Sequence, residues 1–199
     1  AEDAAIEYKM CSKNIIHYLV NILDRIKSKS IRPFLHELFL LVITFLKKLS
    51  IFHDNIKLFI QQGLIEKLLP FTQHVDILEN YDLVECICRL LFNCSFDSKL
   101  RGQILSSHLL PSLVPILKKS EIFPVVVRLM YNMSMDSNQM LKYKVIYQNS
   151  TAQLTSLIIN TTTSHHNPEL LALAINLANE DDNLQIMNKF MPQLIKKCH

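Results

Sequence analysis

Glycine is nearly absent from this chain: only Gly63 and Gly102 occur in 199 residues. Without glycine no loop can bring its backbone close around a phosphate, and tight β-hairpins lose their usual turn residues. Tryptophan is absent altogether, and no C-x-x-C pair, H-E-x-x-H or G-x-S-x-G occurs, so zinc-ligand, zincin and nucleophile-elbow signatures are all missing. Charge of one sign is not in excess. The formal net charge is +3 and the lysines are scattered, whereas a nucleic-acid binder concentrates a basic face. Long hydrophobic runs are missing too. The longest apolar stretch, Phe34 to Leu46, is broken by His36, Glu37 and Thr44 and is too short to cross a bilayer. The first apolar run, from Ile15, follows no signal-peptide n-region.

Five cysteines occur, and Cys86, Cys88 and Cys94 lie in one apolar run. There they read as small hydrophobes of a reducing, intracellular compartment. The Asn-x-Ser/Thr matches at Asn93, Asn132, Asn149 and Asn160 read as chance, since two of them sit inside apolar helical runs.

Against those absences stands a hydrophobic content of 49%, enough for a continuous core, and an internal repeat. "FLKKLSIFHDN", "RLLFNCSFDSK" and "RLMYNMSMDSN" share one pattern, and "LAINLANEDDN" follows with alanine at the serine position. The anchors Ser50, Ser95, Ser134 and Ala178 are spaced 45, 39 and 44 residues apart, near the period of armadillo and HEAT repeats.

Each repeat divides the same way. An aspartate (Asp3, Asp54, Asp97, Asp136 or Asp181) suits a helix N-cap, because its carboxylate accepts from first-turn amides. A short helix follows, such as Ser98 to Ser107. An amphipathic helix comes next, with Ile15, Leu19, Ile22, Leu23 and Ile26 at helical spacing in the first repeat. A longer, more apolar helix closes the unit, with Pro33, Pro124 or Pro168 at or just before its start. Three helices per unit predict an all-α, right-handed superhelical solenoid of armadillo repeats. Their bounds are approximately 1–52, 53–96, 97–135 and 136–179, with a partial repeat at 180–199. No unit buries its third helix alone, so neighbours must stack into a single array. The polar caps expected of a complete solenoid are not evident, which predicts a piece of a longer array.

"EYKMCSKNIIHYLVNILDR", "FLLVITFLKKLSIF", "RLLFNCSFDSKLR" and "MYNMSMDSNQM" together resemble the kinesin-associated protein family, the non-motor accessory subunits of heterotrimeric kinesin-2. The similarity runs in order from Ala1 to about Lys197, and "FLKKLSIF" and "NCSFDSKLR" are its most specific parts. Two stretches depart from it, "IKSKSIR" at 26–32 and "YKVIYQNSTA" near 143–152. The resemblance implies an adaptor without catalytic activity. Its armadillo array would engage the kinesin-2 motor subunit tails and link them to cargo or cargo adaptors. The setting it implies is cytoplasmic and cytoskeleton-associated, including the cilium or flagellum and intraflagellar transport. No cofactor, nucleic acid or membrane insertion is expected.

In armadillo arrays the third helices line a concave groove, so equivalent positions of successive repeats face one partner. Those positions are Lys48, Asn93, Asn132 and Asn176; one turn earlier stand Thr44, Arg89, Arg128 and Ala172. An asparagine amide offers donor and acceptor to an extended peptide backbone. Arginine suits carboxylates in a bidentate fork, so Lys48, Arg89 and Arg128 point to an acidic or amphipathic partner segment. Each assignment has a structural counterpart. Asparagine near a helix C-terminus also satisfies local carbonyls or a neighbouring repeat's backbone, and helical arginine is usually a solvated face. The alternative function is an armadillo scaffold of nuclear import or junctional signalling. Import scaffolds pair tryptophan with the asparagine, and arginine with asparagine argues against them. His165–His166 in a polar loop read as solvated and not as metal ligands.

Overall fold

The computed structural model describes residues 14–27, 33–73, 75–107, 109–113 and 123–135, together with single helical positions at 169, 172, 173, 175, 176, 188 and 192. Among the described residues every regular element is helical. The helices are α1 (Ile15–Lys27), α2 (Pro33–Leu49), α3 (His53–Gln61), α4 (Leu64–Thr72), α5 (Val75–Glu79), α6 (Tyr81–Cys94), α7 (Ser98–Ser106), α8 (Leu109–Leu113) and α9 (Phe123–Ser134). Contacts group the chain into two compact units, Ala1–Leu109 and Leu110–His199. No helix among the described residues is long and apolar enough to cross a membrane.

The first unit is built on α2 and α6, two of the long closing helices, which pack more extensively than any other helix pair. Both helices bury many apolar side chains: Phe39, Val42, Ile43 and Leu46 on α2, with Leu83, Ile87, Leu90 and Leu91 among the buried residues of α6. α1 packs on α2 and α4 through Ile16, Leu19, Val20, Leu23 and Ile26. This stripe differs from the expected one: Ile15 and Ile22 are only part-buried. Ile16 and Val20 lie a turn apart on the side where the α1 stripe meets its neighbours, and they displace the two isoleucines from the core.

Phe39 and Phe71 stack at 4.2 Å between ring centroids, joining α2 to α4. Lys67 of α4 pairs with Asp24 of α1 at 2.8 Å. Gly63 ends α3 and opens α4 at φ 63°, a left-handed conformation that glycine adopts without a Cβ penalty.

Capping follows the expected chemistry at one corner and departs from it at another. Asp97 is the N-cap of α7, and its Oδ1 accepts from the Lys99 and Leu100 amides, each at 3.0 Å. Asp54 does not cap α3. That place is held by Phe52, in extended backbone and with no side-chain cap. Two residues more than in the next repeat separate Asp54 from its serine anchor, which carries it into the first helical turn. There it acts on the helix dipole and not as a hydrogen-bond cap. Asp3, Asp136, Asp181 and Pro168 lie outside the described residues. Pro33 and Pro124 stand in the first turns of α2 and α9, where a missing amide costs nothing.

Cys86, Cys88 and Cys94 are free and buried. Burial, reinforced by Glu85, pushes the Cys88 thiol up to about 12, and burial with Asp97 does the same for Cys94. These thiols are core residues, closed to thiolate chemistry at neutral pH. In the second unit, α9 buries Val126, Val127, Leu129, Met130 and Met133, and Leu173 is buried as well.

Candidate functional site

The recurrent serine is where the site begins. Ser50, Ser95 and Ser134 are buried although serine is ordinarily a surface residue. Each hydroxyl donates back to the carbonyl three residues earlier, of Lys47 (2.6 Å), Phe92 (2.6 Å) and Tyr131 (2.7 Å). These are the last-turn carbonyls that a helix leaves without intrahelical donors. The hydroxyl oxygen then still has lone pairs to offer.

The asparagines use them. Asn93 Nδ2 donates to Ser50 Oγ at 2.9 Å and to the Lys47 carbonyl at 3.3 Å, tying the end of α6 to the end of α2. In the second unit Asn176 Nδ2 donates to Ser134 Oγ at 2.9 Å. The two links span 43 and 42 residues, one repeat in each case. A serine that closes its own helix therefore receives the asparagine of the helix one repeat later. Each such bond between part-buried neutral groups contributes about 1 kcal/mol. Asn132, on α9, is part-buried.

The basic residues are placed differently. Lys48 is exposed on the last turn of α2. Thr44, one turn earlier, is part-buried with its Oγ1 3.5 Å from Cys86 Sγ, so α6 engages its hydroxyl. Arg89 is exposed and donates from Nε (3.0 Å) and Nη2 (2.7 Å) to Glu85 Oε1, four residues back on the same helix. Arg128 is also exposed, and its Nε donates to Glu169 Oε1 at 3.0 Å. Ala172 is part-buried in helical backbone. Each arginine thus carries a carboxylate within its own unit, and both are paired cations. Exposed pairs of this kind contribute about 0–1 kcal/mol. Two of the five Arg89 donors are engaged, so a partner carboxylate can be accepted beside Glu85 or in its place.

A family model described as Kinesin-associated protein (KAP) matches residues 1–196. The chain belongs to the kinesin-associated protein family. No solved structure matches it. Kinesin-associated proteins are thus the frame in which the exposed residues of α2, α6 and α9 are to be understood. Within that frame the asparagine row is tied into the scaffold at Asn93 and Asn176, whereas Lys48, Arg89 and Arg128 present charge to solvent.

Two features escaped the sequence reading. Serine at 50, 95 and 134 served to align the repeats, yet a serine inside an apolar run already signals a satisfied buried hydroxyl. The residue after each serine is large, apolar and exposed: Ile51, Phe96 and Met135 are 73%, 67% and 61% accessible. In the first unit Ile51 and Phe96 line a cavity of about 550 Å³. The Glu85–Arg89 pair was legible as an i, i+4 pair of favourable orientation. Glu169 was not, since it is brought in from 41 residues away.

Proposed function

We propose that this chain is a non-enzymatic adaptor that binds the tail region of kinesin-2 motor chains and links the motor to cargo. Such an adaptor serves intraflagellar and other microtubule-based transport in the cytoplasm and cilium. On this reading its units are consecutive parts of one right-handed armadillo solenoid. The third helices line a concave groove, and an acidic or amphipathic segment of the partner lies along it. The observation that carries the reading is the family match over residues 1–196. It is supported by exposed cations at one repeat position, Arg89 and Arg128, with Lys48 exposed one turn further along its own helix.

The chemistry of the groove divides by residue type. The asparagines hold successive repeats in register, and the arginines read the partner. Exchange of a weak internal carboxylate for one on the partner leaves each arginine paired. Specificity then resides in where the partner places its carboxylates, and affinity in a few anchors and not in total area.

The test is a pull-down and titration of purified tails of the two kinesin-2 motor chains against this chain. Saturable binding of at least one tail, weakened by added salt, is expected. Absence of binding by both tails to the folded chain would overturn the proposal.

A further inference from the structure

Among the described residues, the large hydrophobics left exposed are Tyr18, Leu41, Ile51, Tyr81, Phe96, Met135 and Ile175. Three of these seven occupy one position of the repeat, directly after the buried serine. Scattered exposed hydrophobics need no explanation, but a recurrent one at a fixed place in a repeat does. In the first unit the place has a definite shape. Ser50 and Ile56, both buried, form the floor of the cavity, and the exposed side chains of Ile51 and Phe96 stand at its mouth. Phe96 is held by edge-on contact with Phe92, at 5.1 Å between ring centroids. An exposed phenylalanine braced in this way is a preformed wall. The volume of about 550 Å³ lies within the range of sites that enclose a ligand group.

The lining holds one acidic side chain and one imidazole, that of His53. Asp97 supplies a carboxylate, and no lysine or arginine is among the described residues of the wall. Both bonds that cap α7 fall on Asp97 Oδ1, which leaves Oδ2 to a ligand. The complement of a cleft with an apolar mouth and one carboxylate at its side is a bulky apolar side chain next to a cation.

We propose that the cavity between the α2–α3 and α6–α7 corners docks a protein segment that inserts one bulky apolar side chain and sets an adjacent lysine or arginine against Asp97. This site rests on the adaptor reading but not on motor tails being the partner. It is a second chemistry beside the arginine row, apolar and cation-selective where that row selects carboxylates.

The test is selection of short random peptides on the whole chain, with an Ile51→Asp/Phe96→Asp variant as counter-target. Both positions are exposed, so the variant should keep the helical content and melting of the parent. Phe96→Ala serves as a milder second variant. The expected result is a consensus of a large apolar residue beside Lys or Arg. The best such peptide should lose about tenfold in affinity on either variant. Asp97→Asn, which retains N-cap chemistry, should lose about twofold to fivefold and flatten the salt dependence. A consensus rich in Asp or Glu, no consensus lost on the variants, or an Asp97→Asn chain indistinguishable from the parent would each overturn the site. Motor-tail titrations separate the two proposals. Tails that fail to bind a chain that still selects these peptides remove the motor assignment alone. Tails that bind a chain selecting no such peptide remove the cavity alone.

Discussion

The two units carry the same asparagine–serine link but treat their arginines differently. Asn93 meets Ser50 in the first unit and Asn176 meets Ser134 in the second, both at 2.9 Å. Arg89, however, is tethered to Glu85 on its own helix, whereas Arg128 reaches Glu169 from 41 residues away. A feature that is unchanged from unit to unit belongs to the scaffold, because every repeat must satisfy the same helix-end carbonyls and keep the same register. A feature that changes is released from that duty. The difference teaches that equivalent positions in a repeat need not be engaged alike: the asparagines bond from one repeat to another, whereas the arginines take carboxylates that differ from unit to unit.

The division can be broken at several points. The largest effect is expected from the core that both roles depend on. Phe71→Ala removes the stack on Phe39 and should cost about 3–5 kcal/mol, read from chemical denaturation. That value sets the scale for the rest.

Next come the buried thiols, both in the first unit. Their folded values near 12 lie above the unfolded value of 9.0. The unfolded chain therefore loses these protons first as pH rises. Their contribution is full below about pH 9 and falls as pH climbs toward 12. By pH 10 the two together should cost about 3 kcal/mol. Denaturation at pH 8 and pH 10 checks this, and a Cys88→Ala/Cys94→Ala chain should show a shallower decline. At pH 8 both thiols should also resist alkylation until the chain unfolds.

Removing the links follows. Asn93→Ala abolishes bonds to Ser50 and to the Lys47 carbonyl and should cost about 1–2 kcal/mol. Asn176→Ala, with its bond to Ser134, should cost about 1 kcal/mol. Equal and negligible losses in both units would deny the asparagines their holding role. The smallest effect belongs to the arginines. Arg89→Ala and Arg128→Ala should each change stability by less than about 1 kcal/mol, with Arg128 the more salt-sensitive because its partner is not held on the same helix.

Much of this was legible in the chain. Proline at the starts of α2 and α9 and the run of apolar residues through α6 marked the long helices, because helix punctuation is local chemistry. The cap at Asp97 was legible for the same reason. The cap expected at Asp54 was not realised, since loop length decided the matter and a pattern of residue types does not fix where a helix begins. The α1 stripe was off by one position for two isoleucines, because helical spacing leaves two adjacent faces open until a neighbour chooses one. In the candidate site, the equivalence of Asn93 and Asn176 could be read from the repeat. Their serine partners could not, as a bond across 42 or 43 residues depends on how helices stack. Ile51, Phe96 and Met135 were hidden for a related reason: their exposure becomes evident only once the buried serine beside each has fixed the helix face.

The most direct test of the division between holding and reading is titration of the kinesin-2 motor tails against the parent chain and an Arg89→Glu/Arg128→Glu variant, with helical content and melting recorded for both. At least a tenfold loss of tail affinity is expected in the variant, with its stability unchanged within about 1 kcal/mol. Tail affinity equal to the parent's in a folded variant would contradict it.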